Sequence, residues 1–418
     1  MRALARPSRL FAALATGFME ATTQAADVAV DGSVQLQNQY SDNYLFSAAP
    51  HSPLLILALS PSLSLKENTE ASNLRIDASA TAFDVPRLHE DNHTDLNLSL
   101  AYSIHDERNT VGATLSYVKS LTVESEFLTS GVLLSKQKRD DILFAPSWSR
   151  ALSERLMVSA SLSAEDVRYP GPAGAGASAA NYQYYQFPAS LQYASTERDN
   201  LSLTLTTSLY RTDSGADRTL SEQIGGTWQH QLSESATLSA SLGAFDNRTR
   251  TLRPFVFCPV NIFYCYIGAV PLQEINVNRN SSGSGNLINV GFDDRLSETL
   301  GLSAHAARQL IPSGFGGLYV TESMDAGLSS QLAENLSGGL KYSQVRTLLP
   351  SPADGFTGAS ESLSASLSWK IDEFSSIQAG LGRTNTLHER SGSPRIHGDS
   401  IFANYLYAWP ESREAGKR

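Results

Sequence analysis

The chain has 418 residues, 41% of them hydrophobic, and a formal net charge of -10 at pH 7. That acidity disfavours nucleic acid as a partner, and no apolar run approaches the roughly 20 residues of a membrane helix, so a helical membrane protein is excluded. A repeated turn-and-strand pattern runs through nearly all of the chain and argues for one continuous architecture.

At the N-terminus Arg2, Arg6 and Arg9 precede a short apolar segment at residues 10–19, and ATTQAAD then offers small-residue cleavage sites at Ala25 and Ala26. This is secretory signal anatomy. It divides the chain into a leader at residues 1–25, a mature fold at residues 26–409 and a polar tail at residues 410–418.

Residues 28–40 alternate between apolar and polar side chains and read as the first strand. A second strand covers residues 54–65, bounded by Pro53 and broken in pattern by Pro61. After a turn at residues 66–73, Leu74, Ile76, Ala78, Ala80 and Ala82 share one face, while Arg75, Asp77, Ser79 and Thr81 share the other. Leu96, Leu98, Leu100 and Tyr102 continue the apolar side, as do Val111, Ala113, Leu115 and Tyr117 after the turn at Asp106. Alternation this sustained is a strand signal and not a helix signal. Further strands are expected near 139–151, 155–167, 182–195, 200–211, 219–231, 236–246, 284–295, 299–309, 319–331, 335–346, 358–371, 374–386 and 397–409, about 18 in all.

The connections fall into two classes. Short turns recur as LSER at residue 152, LSES at 232, LSET at 296 and LAEN at 332, with looser copies at 106, 196 and 371. Longer segments rich in Gly, Pro, Ser and Asn alternate with them, the longest placed at residues 247–283. Strands of roughly 10 to 13 residues are long for a propeller blade and fit a tilted bilayer crossing. A β-sandwich would not need so many uniform long hairpins. The fold class is therefore all-β, a transmembrane antiparallel up-and-down barrel with short periplasmic turns and long extracellular loops.

Trp148, Trp228 and Trp369 stand three or four residues before a short turn, and Trp409 ends the last strand, so all four fall at one end as an aromatic girdle. Tyr40, Phe83, Tyr117, Tyr182, Tyr184, Tyr185, Tyr210, Phe245 and Tyr319 cluster at the other end and read as the second girdle. Arg75, Asp77, Asp95, Glu165, Glu322, Asp325 and Lys341 are assigned to the lumen, either tuning which solutes pass or filling it with internal ion pairs. The long loop carries PFVFCPVNIFYCYIGAVP. Phe255, Phe257, Phe263, Tyr264 and Tyr266 make it apolar enough to contact a partner or fold into the pore, and Cys258 and Cys265 are placed to form a local disulfide in an exported protein.

Catalytic and cofactor motifs are missing: there is no G-x-S-x-G elbow, H-E-x-x-H pair or phosphate-binding glycine loop. His89 and His93 lie beside Glu90, Asp91 and Asp95, but a solvated polar loop explains them better than a metal site. No catalytic residue, cofactor or metal is expected. A rim-located hydrolase and a structural or adhesive barrel whose loops bind a partner stand as alternatives to a channel.

SDNYLF at residues 41–46, then SEFLTSG at 125, the Arg139 strand with Pro146-Ser147, LSER at 152 and Glu165-Asp166-Val167-Arg168-Tyr169 resemble outer-membrane barrels found with exopolysaccharide and exosortase systems. The resemblance covers about a third of the chain. It implies a Gram-negative outer-membrane location, a role in polysaccharide export, and outer-membrane lipid, lipopolysaccharide and polysaccharide export components as partners. PESREAGKR after Trp409 departs from the aromatic C-terminal residue common in such barrels.

Overall fold

The computed structural model describes residues 27–44, 53–122, 137–170, 179–257, 273–314, 316–348, 358–388, 396–409 and 412–414. In chain order they form β1 (Asp27–Ser41), β2 (Leu54–Asn68), β3 (Ser72–Asp84), β4 (His93–His105), β5 (Asn109–Leu121), β6 (Lys138–Ala151), β7 (Leu156–Ser161), β8 (Ser163–Arg168), β9 (Tyr182–Ala194) and β10 (Asp199–Thr212). There follow β11 (Asp217–Gln231), β12 (Ala236–Phe257), β13 (Gln273–Arg295), β14 (Leu300–Ser313), β15 (Gly317–Ala333), β16 (Leu336–Leu348), β17 (Gly358–Lys370), β18 (Ser375–His388), β19 (Ile396–Ala408) and β20 (Ser412–Glu414).

Both β7 and β8 pair with β6 on one side and β9 on the other, so they are two halves of one crossing interrupted at Leu162. Each crossing runs antiparallel to the next, and β19 returns to β1 from Ser33↔Ala408 to Ser41↔Ser400. The result is a closed barrel of 18 strands. Following the paired residues once around it returns to β1 displaced by about 22 residues. That stagger sets a strand tilt of about 40° and a backbone radius of about 18 Å.

Most of the short turns share one device, the turn at Ala333 being the exception, and it is the physical content of the recurring motif. Ser153 Oγ accepts the N–H groups of Arg155 at 3.3 Å and Leu156 at 3.1 Å. Thr196 Oγ1 does the same for Arg198 and Asp199, Ser233 Oγ for Ser235 and Ala236, and Asp372 Oδ1 for Phe374 and Ser375. A short acceptor side chain at the first turn position satisfies two N–H groups that the ladder cannot.

Asp106 makes the strongest version. Its carboxylate accepts from the Asn109 side chain and from the N–H groups of Arg108 at 2.8 Å and Asn109 at 2.6 Å. These bonds, the Asn109 side chain first, hold the carboxyl below its usual range. Because the folded value is depressed, the contribution is present above the unfolded value of about 3.9 and is lost as pH falls through the folded one. In denaturant unfolding, Asp106→Ala is therefore less stable than the parent at neutral pH, and the gap closes in acid. A gap that persists at low pH would mean the turn does not depend on the charge.

Alternation sorts the side chains cleanly. Leu203, Leu205, Ile224, Leu242, Leu381 and Ile401 are exposed on the outer face, while Ser202, Thr204, Thr227 and Ser241 take the intervening inward positions, with Thr227 and Ser241 hydrogen-bonded across strands at 2.9 Å. An apolar exterior and a polar interior are stable together only with hydrocarbon outside and water inside, and closure leaves no unpaired edge in the hydrocarbon. Trp148, Trp228 and Trp369 are exposed on the outer face near the short turns. Trp409 follows β19, with its N–H donating to Gly32 O at 2.8 Å. Outer-face charges appear on the same strands at Lys138 and Arg218, about ten residues from Trp148 and Trp228 respectively. At the strand tilt above, that distance is a band about 25 Å tall.

Two expectations are corrected. Much of residues 247–283 is not loop, because β12 and β13 pair continuously from Ala236↔Asp294 to Phe257↔Gln273. Within the polar tail, Ser412–Glu414 pairs with Val28–Val30 of β1. The upper aromatics do not form one girdle. Tyr40, Tyr117 and Tyr185 share the lipid face, whereas Phe83, Tyr182, Tyr184, Tyr210 and Phe245 occupy inward positions, and Tyr182, Tyr184, Tyr210 and Phe245 are buried. The reason is parity: adjacent residues such as Tyr184 and Tyr185 point to opposite faces.

Candidate functional site

The lumen divides into two halves. Toward the short turns lies a cavity of about 1830 Å³ whose lining includes Ser303, His305, Asp325, Gly327, Ser329 and Lys341. Cross-strand pairing explains the grouping, since His305 faces Asp325 and Lys341 faces Gly327. His305 Nε2 also lies 3.3 Å from Asp293 Oδ1. On the other wall Lys66 pairs with Asp31 at 2.8 Å and Arg75 with Asp77 at 2.7 Å, with Ser99 Oγ a further donor to Asp77. These half-exposed pairs leave polar surface toward the lumen. Exposed ion pairs of this kind add little to stability.

Toward the long loops the inward positions are closed off. Ser221, Asn247, Thr321, Thr347, Ser360 and Thr386 are small, point inward and are buried, which open water would not allow. One described element crosses this space. β14 pairs with β13 only as far as Arg308↔Ile288, although β13 continues beyond that point beside β12. Freed of β13, the β14–β15 hairpin reaches across the lumen to the wall formed by β8, β9 and β10. Tyr210 Oη donates to Ser313 O at 2.9 Å, and Ala180 N donates to Gly314 O at 2.7 Å. Leu318 packs into a buried cluster with Val167, Tyr169, Tyr182, Tyr184 and Tyr210.

The hairpin tip has the residues this contact needs. Gly316 sits at φ +97, a left-handed conformation that favours glycine. A Cβ on Gly314 would lie 2.6 Å from Tyr169 Oη and 2.9 Å from Ala179 Cβ, so the backbone reaches the wall only without a side chain. Beside this dock the wall carries buried charge. Arg139 of β6 is held between Asp141 at 2.9 Å and Glu165 at 3.3 Å. Glu165 faces Tyr184 and Val167 faces Tyr182 across the β8–β9 pair.

Of the charges assigned to the lumen, Arg75, Asp77, Asp95, Glu165, Asp325 and Lys341 occupy inward positions. Asp95 lies 3.8 Å from His93, whose ring stacks on Phe83. Glu322 is a correction. It sits three residues from Asp325 and therefore on the opposite face, where Arg308 Nη1 donates to it at 2.6 Å. His89, Glu90 and Asp91 form a short 3-10 turn, and no metal-holding cluster is found among the described residues. Cys258, Cys265, Phe263, Tyr264 and Tyr266 lie outside the described residues, as do the side chains of Phe255 and Phe257. Residues 1–25 also lie outside them.

Sequence reasoning missed the dock. The sequence alone reads Tyr182, Tyr184 and Tyr210 as part of an aromatic girdle and gives Arg139 no role beyond its motif. Parity along β9 and β10 carried the missing signal.

No family model matches the sequence, and no curated protein matches it. Solved structures similar in shape include OccAB3 of Acinetobacter baumannii, at TM-score 0.46 and 10% identity over 91% of this chain and 99% of that one. The outer membrane protein OpdK of Pseudomonas aeruginosa gives TM-score 0.45 and 12% identity over 91% and 99%. OccK2 (OpdF) of Pseudomonas aeruginosa, solved in complex with glucuronate, gives 0.46 and 11% over 92% and 98%.

Proposed function

We propose that the protein is a channel in a Gram-negative outer membrane, with its short turns in the periplasm and its long loops outside. The observation that carries this reading is the two-sided wall. Leu205 and Ile224 are exposed outward around a closed sheet, while the inward face lines a charged cavity of about 1830 Å³. A wide periplasmic vestibule then leads to a narrow outer segment at the β14–β15 hairpin.

In planar bilayers the folded protein gives discrete conductance steps. Lys341→Glu removes a cation from the vestibule wall that already carries Asp293 and Asp325, and it shifts the reversal potential in a salt gradient toward cation selectivity. An unchanged reversal potential in a conducting variant would mean that ions do not pass Lys341.

The solute we assign is a polysaccharide or a fragment of one. Support comes from the resemblance of residues 41–46 and 124–169 to barrels of exopolysaccharide systems, and from an inward wall rich in Ser, Thr, Asn and Gln hydroxyl and amide groups that pair with sugar hydroxyls. Liposome swelling faster with uncharged oligosaccharides than with amino acids of equal size supports this assignment, and equal rates refute it.

A second reading, a structural barrel with a filled lumen, is favoured by the buried Tyr182–Tyr210 cluster under the hairpin. A folded protein that gives no conductance in any salt or voltage would select it.

A further inference from the structure

Three guanidinium groups stand in one row on the outer wall. Arg211 of β10 faces Arg218 of β11, which faces Arg250 of β12. Each lies on the face of its strand that carries exposed Leu205, Ile224 or Leu242, so all three point away from the lumen, and all three are exposed.

Like charges directly opposite one another destabilise a strand pair, and elsewhere the outer face relieves such charge with a carboxylate. Arg168 has Asp166 at 2.9 Å, Arg248 has Asp246 at 3.2 Å, Arg308 has Glu322 at 2.6 Å and Arg383 has Asp399 at 3.7 Å. The row has no such relief. Arg211 donates to Gln183 and stacks on Tyr185, with 5.5 Å from its guanidinium carbon to the ring centroid. Arg250 donates to Asn278 at 3.0 Å, and Arg218 has no partner among the described residues. None of the three is in an ion pair among the described residues.

Its height completes the argument. Arg218 lies about ten residues above Trp228 on β11, or about 25 Å along the barrel axis, and Leu209 and Leu220 lie just below the row. The guanidiniums thus stand where hydrocarbon ends and outer-leaflet headgroups begin.

We propose that Arg211, Arg218 and Arg250 form a binding site for the phosphate groups of a phosphorylated glycolipid in the outer leaflet, its acyl chains lying against Leu203, Leu205 and Leu242. Guanidinium forks match phosphate oxygens in geometry and charge, and a phosphate between the strands turns mutual repulsion into shared attraction. The site rests on the reading of this wall as lipid-facing and not on conduction.

The test uses the full-length folded protein in detergent and measures retention of lipopolysaccharide by native mass spectrometry. The comparisons are dephosphorylated lipopolysaccharide, phosphatidylglycerol and inorganic phosphate. The parent retains phosphorylated lipopolysaccharide preferentially, and the triple variant R211Q/R218Q/R250Q binds it roughly a hundred-fold more weakly, whereas R383Q, on an outer-face arginine already paired with Asp399, binds as the parent does. Equal retention of the dephosphorylated form, equal binding by the triple variant, or equal occupancy by phosphatidylglycerol or inorganic phosphate would each overturn the site. Conductance recorded on the same samples separates the two readings. A barrel that conducts without selective lipid binding refutes the site alone, and one that binds without conducting refutes the channel alone.

Discussion

Replacing residues 311–319 with Asn-Gly raises single-channel conductance at least about three-fold, since current through a pore is set by its narrowest segment. Leu310 and Val320 already face each other across β14 and β15, so a two-residue turn of this type joins them without disturbing the ladder. The deletion removes the Tyr210–Ser313 and Ala180–Gly314 hydrogen bonds and takes Leu318 out of the tyrosine cluster. It touches none of the ladder between Leu300 and Leu310, and the barrel keeps its heat-modifiable migration. Gly314→Leu is the point-mutant counterpart. Its side chain collides with Tyr169 and Ala179, lifts the tip from the wall, and gives a smaller rise in mean conductance with greater current noise. Tyr210→Phe keeps the ring packing and loses the hydrogen bond to Ser313 O, worth about 1 kcal/mol, so its rise is smaller still. Parent-level conductance in the folded deletion variant would show that the hairpin does not limit the path.

The barrel was legible in the sequence because its cause is local and repeated. Each strand obeys period two, and most short turns carry a Ser, Thr or Asp that caps its own backbone, so Leu152, Leu232 and Leu296 announce the same structure before any long-range contact is known. The number of crossings follows from that punctuation. The dock was not legible because its cause is long-range. Tyr210 meets Ser313 across a separation of 103 residues, and nothing in the alternation of β10 says that an inward tyrosine has a partner there. Glu322 departs from its sequence assignment for a simpler reason: on one strand a carboxylate three residues from Asp325 cannot share its face. The same parity rule recovers the outward row of Arg211, Arg218 and Arg250, whose alignment depends on inter-strand register and not on any one strand.

Adjacent residues on β10 give the sharpest measure of the two-faced wall. Leu205 is 54% exposed on the outer face at mid-height, and Thr204 points inward with Gly225 opposite it on β11 and Ser190 opposite it on β9. Leu205→Arg puts a guanidinium into hydrocarbon near the bilayer midplane, at a cost of about 2–4 kcal/mol, because no water or counter-charge is within reach at that depth. Thr204→Arg places the same group in an aqueous lumen with neutral neighbours, where the cost stays within about 1 kcal/mol. The two variants have the same added charge and nearly the same position along the strand, so propensity and net charge cancel in the comparison. Reversible unfolding in phospholipid vesicles reads the difference directly. A gap of at least about 1 kcal/mol in favour of Thr204→Arg is expected from those two costs. Equal destabilisation by the two would mean that the face carrying Leu205 meets something other than lipid, and the membrane reading of the wall would go with it.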